Sequence, residues 1–102
     1  MITVKLFCAA GMSTSLLVAK MNEVAAKENL DVKVKAYPID KIAAEIATSD
    51  IVLLGPQVGY LLAEAKGYAA PLGIPVGIIP MKDYGRVNGK GVLDYVMLLL
   101  NM

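Results

Sequence analysis

Hydrophobic residues recur at two different spacings along the chain, and segments with the two spacings alternate from one end to the other. An apolar residue at every second position, or a short apolar run, predicts strands at residues 2–7, 32–37, 51–54 and 76–79. Apolar residues three or four positions apart predict helices at residues 14–28, 39–46, 58–69 and 92–100. The predicted order is therefore four strands, each followed by a helix, with a polar loop at residues 81–91.

This alternation also predicts how the sheet is arranged. Parallel neighbours need crossover connections, so the order favours an α/β fold: a four-stranded open parallel sheet with helices on both faces. The continuous apolar run at residues 51–54 is typical of a strand at the sheet centre. Lys33 and Lys35 give the second strand a solvated face and predict an edge position. Thr3 and Lys5 fit a central strand poorly, and we expect them at the exposed beginning of the first strand.

Composition narrows the classes of protein. The 102 residues suffice for one hydrophobic core, so we expect a single domain over residues 1–102. A formal net charge of +1 gives no broad positive field to gather nucleic acid. No apolar run approaches the ~20 residues that span a bilayer, and we expect a cytoplasmic protein without direct membrane insertion. One cysteine and no histidine rule out an internal disulfide and offer no zinc ligand set, so no cofactor or metal is predicted.

Cys8 directly follows the first predicted strand and precedes a stretch of small and hydroxylated residues. The carboxyl ends of parallel strands meet at one sheet edge, where ligands bind, so segments 8–15, 55–57 and 80–86 should converge there. Backbone N–H groups and the positive end of a helix dipole favour both a thiolate and a bound phosphate. Cys8 is the candidate nucleophile, and Ser13 or Thr14 is expected to cap the following helix. The candidate phosphate-binding residues are Ala9, Ala10, Gly11, Met12, Ser13, Thr14 and Ser15.

A cysteine loop of this kind has two other interpretations. Low-molecular-weight tyrosine phosphatases and related arsenate reductases place an arginine after the cysteine and five further residues, where it clamps the phosphate. Thr14 stands at that position here, which argues against rapid hydrolysis of a phosphocysteine. A low-molecular-weight cysteine phosphatase remains one alternative. The other is a non-catalytic anion-binding regulatory module in which Cys8 is an inert buried residue.

Three segments of the sequence resemble a known family. These are residues 6–17 (LFCAAGMSTSLL), residues 52–57 (VLLGPQ), and Tyr84-Gly85 with the following Asn88-Gly89 and Val92-Leu93. They are similar to the enzyme IIB components of the lactose/cellobiose/chitobiose branch of the bacterial phosphoenolpyruvate-dependent sugar phosphotransferase system. The first segment is long and specific, and the other two fall on loops expected at the same sheet edge.

The resemblance implies both a fold and a function. The fold would be a four-stranded parallel sheet with a cysteine phosphate loop of the low-molecular-weight tyrosine phosphatase type. Cys8 would accept phosphate from a phosphohistidine on the IIA partner and pass it to a sugar bound by the membrane-embedded IIC partner. The family branch implies cellobiose, chitobiose, lactose or a similar β-glucoside, and a monomer is expected.

A thiol that meets two partners in turn needs an accessible surface around it. The sequence offers apolar candidates for this rim at the predicted sheet edge: Met12, Leu16, Pro56, Val58, Tyr60, Met81 and Tyr84. Leu16 and Val58 are also suited to the core. Gln57, Tyr60 and Tyr84 are possible contacts to phosphate or to a partner.

Overall fold

The computed structural model describes residues 1–9 and 11–101, with the backbone alone for residues 11–13. Four strands form one parallel sheet: β1 (Ile2–Cys8), β2 (Val32–Pro38), β3 (Ile51–Leu54) and β4 (Val76–Ile78). Their spatial order is β2-β1-β3-β4. The predicted parallel sheet is confirmed, with β3 among its two inner strands and β2 at an edge.

Helices cover both faces of the sheet, as predicted. One apolar cluster joins Val4 and Leu6 of β1 to α1 (Gly11–Lys27) and α5 (Gly89–Leu99). A second cluster, on the opposite face, includes Phe7 and packs β1 and β3 against α2 (Ile42–Glu45) and α3 (Leu62–Ala69). Short 3₁₀ segments precede and follow these two helices, at Ile39–Lys41, Ile46–Thr48, Pro56–Leu61 and Ala70–Leu72. Successive residues of β1 thus contribute to two separate cores, because side chains point alternately to the two faces of a sheet.

Helix boundaries differ from the sequence prediction at several places. The helix predicted at residues 39–46 is α-helical only over Ile42–Glu45, and the helix predicted from residue 58 is α-helical only from Leu62. α1 begins at Gly11, three residues before the predicted start, so Ser13 and Thr14 lie inside the helix and neither caps it. The segment predicted as a polar loop contains a short helix, α4 (Met81–Gly85), and the first residues of α5. Asn88 caps α5, because its side-chain oxygen accepts a hydrogen bond from the Gly91 N–H at 3.1 Å.

The expected exposure of Lys5 is wrong. Lys5 is only 4% exposed and lies among the α2-side residues of the sheet. Its ammonium group donates to the Glu45 carboxylate and to the Glu45 carbonyl oxygen, both at 2.9 Å, and also to the Thr48 hydroxyl. Buried charges persist where they are paired and hydrogen-bonded, and this network supplies both conditions.

A side chain of α1 forms hydrogen bonds with the backbone at the outer edge of β2. Asn22 donates from its amide nitrogen to the Val34 carbonyl and accepts from the Val34 N–H, each at 2.9 Å. The unpaired backbone groups of an edge strand can pair with another chain, so this contact leaves fewer such groups available at the sheet edge. It also fixes α1 against β2, and therefore fixes the helix that begins beside Cys8.

Candidate functional site

Cys8 is the last residue of β1, at the carboxyl edge of the sheet. Its neighbours in the sheet come from both adjacent strands: Cys8 pairs in register with Pro38 of β2, and the Gly55 N–H after β3 donates to the Phe7 carbonyl at 2.9 Å. α1 begins three residues later, at Gly11. The fold thus places the thiol between a central strand and the N-terminus of a 17-residue helix.

Cys8 is buried, with 2% of its surface exposed, yet it borders a cavity of about 220 Å³. Ser15, Ala36, Tyr37 and Pro38 line the cavity with it. The carboxyl end of β2 therefore forms one wall of the site, which the sequence analysis did not identify. The available signal was the edge position predicted for β2, because parallel pairing with β1 brings the end of β2 beside Cys8.

The local electrostatics favour an anion near Cys8. The first turn of α1 contains no acidic residue, and among the residues that the structure describes no Asp, Glu, Lys or Arg lines the cavity. The positive end of the α1 dipole therefore faces no carboxylate from its own first turn. Within residues 1–9 and 11–101, no group of three or more Cys, Asp and Glu side chains is placed to hold a metal ion.

The predicted phosphate-binding residues divide into three groups. Ala9 is exposed and continues the chain from β1. Ala10 and the side chains of Gly11, Met12 and Ser13 lie outside the described residues. Thr14 and Ser15 belong to the first turns of α1, where Ser15 borders the cavity and Thr14 is fully buried. The Thr14 hydroxyl lies 3.2 Å from the Tyr84 hydroxyl.

Gln57 is brought near Cys8 by the turn after β3. A Cβ atom built at Gly55 would lie 3.4 Å from the Gln57 Oε1 and 3.5 Å from the Cys8 Cβ. Both side chains therefore flank the same glycine, and a side chain at position 55 would fill the space between them. Gln57 itself is exposed, in the 3₁₀ segment Pro56–Leu61.

The candidate rim residues are distributed unevenly between surface and core. Leu16, Tyr60 and Met81 are 61%, 81% and 65% exposed. Pro56 is half-buried, whereas Val58 is buried in the α3-side core and does not form part of a rim. Tyr84 is also half-buried and packs against the α1-side core. The side chain of Met12 lies outside the described residues. We call Leu16, Tyr60 and Met81 the apolar rim.

Membrane insertion by a helix finds no support in the described part of the chain. None of its helices combines the length and the apolar character needed to cross a bilayer.

Comparison with known proteins gives a consistent result over almost the whole chain. Residues 3–95 match the family described as "PTS system, Lactose/Cellobiose specific IIB subunit". The galactose-specific EIIB component of the Lactococcus lactis subsp. cremoris phosphotransferase system is 41% identical over 103 residues, 96% of this chain and 95% of its own. The cellobiose-specific EIIB component of Lactococcus lactis subsp. lactis shows the same identity and coverage.

The fold agrees with this assignment. The solved structure of the lactose-specific IIB component domain from Streptococcus pneumoniae superposes with a TM-score of 0.87, covering 96% of both chains at 22% sequence identity. Such IIB domains share the fold of the low-molecular-weight tyrosine phosphatases. The chain therefore belongs to the lactose/cellobiose-specific IIB subunits of the sugar phosphotransferase system, and it is a phosphotransferase component.

Proposed function

We propose that Cys8 carries the phosphoryl group between two partner proteins in the cytoplasm. The observation that supports this most directly is the position of the thiol, at the end of β1 beside the cavity and three residues before the N-terminus of α1. The chain contains no histidine, so a phosphohistidine donor must come from another protein. That donor is the IIA partner.

The first step transfers the group from nitrogen to sulfur. The Cys8 thiolate attacks the phosphorus in line, the new S–P bond forms, and the P–N bond breaks with its electron pair returning to the donor imidazole. Backbone N–H groups at the start of α1 stabilise charge on the equatorial oxygens. Among the candidate residues, Ala9 to Ser15 form the cradle, with Ala10 and the side chains of residues 11–13 assigned to it from the sequence alone.

The second step passes the group to the transported sugar. A sugar hydroxyl oxygen, held by the membrane-embedded IIC partner, attacks the phosphorus as the S–P bond breaks and the Cys8 thiolate is released. The hydroxyl proton goes to a base supplied by IIC. The relatives name galactose and cellobiose at equal identity, so the substrate class is a lactose- or cellobiose-type sugar.

Both partners reach the thiol across the apolar rim. Leu16 belongs to α1, Tyr60 to the 3₁₀ segment after β3, and Met81 to the start of α4, so all three lie on elements that start at the carboxyl edge. Exposed apolar side chains beside a reactive group are typical of a docking surface. Gln57, which flanks the same glycine as Cys8, is positioned to contact the phosphoryl group or the partner.

The proposal is tested by phosphorylation in a reconstituted system. The chain is incubated with labelled phosphoenolpyruvate, the general phosphotransferase proteins and a matched IIA, and the modified peptide is identified by mass spectrometry. One phosphoryl group is expected on the peptide that contains Cys8, and none on Cys8→Ser. Label on Cys8→Ser, or no label on the wild-type chain, contradicts the proposal. Release of phosphate from small phosphoesters without any partner identifies a phosphatase instead.

The docking role of the rim is tested separately. Tyr60→Ala is expected to weaken acceptance of phosphate from IIA, because it removes a large exposed aromatic contact. Leu98→Ala is the matched control. Leu98 is 71% exposed on α5 and adjoins Met97, which lines a cavity with residues 29–32 at the opposite edge of the sheet. Equal effects of the two substitutions contradict a specific docking surface.

A further inference from the structure

One hydrogen bond connects the start of α1 to a helix that follows 70 positions later in the sequence. The hydroxyl groups of Thr14 and Tyr84 lie 3.2 Å apart, and either can donate. Thr14 is fully buried. A buried hydroxyl needs a hydrogen-bond partner, and Tyr84 supplies one from α4. The first turn of α1, beside Cys8, is thereby attached to another element of the fold.

α4 is itself firmly held by the start of α5. The Asn88 amide donates to the buried Asp83 carboxylate at 3.1 Å, and the Asn88 backbone N–H donates to the Asp83 carbonyl at 2.9 Å. The Asn88 side-chain oxygen accepts from the Gly91 N–H. Asn88 thus caps α5 and fastens α4 in the same arrangement, so Tyr84 projects from a well-anchored turn.

The start of α5 in turn lies directly against α1. A Cβ atom built at Gly89 would lie 2.9 Å from the Lys20 carbonyl carbon and 2.9 Å from the Met21 nitrogen. This distance allows only a glycine at the crossing. α5 therefore fixes the middle of α1 at Gly89, while Tyr84 of the attached α4 fixes its first turn at Thr14.

We infer that Tyr84 is a positioning residue for phosphate transfer and acts through the Thr14 hydroxyl. The contact holds the first turn of α1, which begins three residues after Cys8, in place beside the sulfur and a phosphoryl group on it. This inference rests on the proposed function. It gives Tyr84 a different role from the direct contact to phosphate or partner considered above.

The rate at which Cys8 reacts with a small alkylating reagent reports this positioning directly. The thiolate is the form of a thiol that reacts, and the positive end of a helix favours an anion, so a first turn that is less well held slows the reaction. The variants below leave Tyr37 in the wall of the cavity unchanged, and they also leave Lys82 and Asp83 beside Tyr84 on α4 unchanged. A change in the alkylation rate therefore reports the first turn of α1.

The experiment compares Tyr84→Phe, Thr14→Val and the double variant with the wild-type chain. Alkylation of Cys8 by iodoacetamide and phosphate transfer from IIA are both measured at neutral pH. Both single variants are expected to slow alkylation and to slow transfer about fivefold, the effect of losing one neutral hydrogen bond. The double variant should resemble either single one, because both lose the same contact.

Two controls decide between positioning and other roles. Tyr68→Phe should change neither readout because Tyr68 lies on α3. Thermal unfolding of each variant separates a local effect from loss of the fold. Additive effects, or slower transfer by Tyr84→Phe with an unchanged alkylation rate, overturn the inference and favour direct contact by Tyr84. The alkylation rate needs no partner protein, so it tests the positioning even if phosphate transfer fails.

Discussion

The buried Lys5–Glu45 pair predicts that its two members have very different effects on stability. Lys5 is 4% exposed, whereas about one third of the Glu45 side chain is exposed. Replacing Lys5 with methionine removes the buried charge and leaves a carboxylate that water can still solvate. Replacing Glu45 with alanine leaves the ammonium group buried without its counter-charge. The second change should therefore be the more damaging.

The magnitudes follow from the geometry of the network. Truncating one partner of a buried ion pair costs about 3–5 kcal/mol, and Lys5 keeps two acceptors in Glu45→Ala, the residue 45 carbonyl and the Thr48 hydroxyl, so about 3 kcal/mol is expected. Lys5→Met should change the free energy of unfolding by no more than about 1 kcal/mol, since apolar replacement of buried pairs is often neutral or stabilising. The double variant should resemble Lys5→Met, because the stranded charge is gone.

Urea unfolding followed by circular dichroism measures these differences, provided that the m-values agree among variants. Glu64→Ala on α3 is the matched control, since Glu64 is exposed and should contribute no more than about 0.5 kcal/mol. The reasoning is refuted if Lys5→Met destabilises the chain as much as Glu45→Ala. It is equally refuted if the double variant is less stable than both single variants.

Four further substitutions test contacts away from the Lys5 network by the same measurement. Gly89→Ala should destabilise the chain by about 1–3 kcal/mol, because the new methyl group meets the α1 backbone. Gly67→Ala, with open space around it in α3, should stabilise the chain by about 0.5–1 kcal/mol. If both substitutions changed the free energy of unfolding in the same direction, the close approach at Gly89 would be contradicted. Asn22→Ala should cost about 1–2 kcal/mol through two lost hydrogen bonds to Val34, and a neutral result would mean that the β2 edge is satisfied without it. Asn88→Ala should cost about 1 kcal/mol through the lost α5 cap, and a variant with an unchanged midpoint would contradict that role.

The sequence predicts the order of elements and the parallel sheet because those depend on periodicity within short windows. Ile51 to Leu54 read as an inner strand because all four residues are apolar, and the structure buries all four. The start of α1 was missed because Gly11 has low helix propensity and belongs to a run of small residues typical of a loop. α4 was missed because five residues are too few to show a helical period.

The side-chain contacts at the site depend on residues far apart in the chain. From the local sequence Lys5 is expected to be solvated, whereas in the folded chain it donates to Glu45, 40 positions later. The hydrogen-bond partner of Thr14 is Tyr84, 70 positions later in the chain. This contact distinguishes the half-buried Tyr84 from the exposed residues of the apolar rim. Cys8 is a candidate from its local sequence alone, whereas the cavity beside it requires the end of β2. Local patterns therefore nominate the thiol, and only the tertiary structure shows which residues surround it.

The strand order β2-β1-β3-β4 has a consequence for how the protein is made. Cys8 leaves the ribosome well before β3, the inner neighbour of its strand, is complete at Leu54. At 5–20 residues per second, this interval lasts about 2–9 seconds. Throughout it, β1 has an unpaired side and the thiol has no finished enclosure. The newly made chain thus passes through a period in which the Cys8 sulfur is open to oxidants and to other unfolded chains, and the enclosure seen in the folded protein ends that exposure.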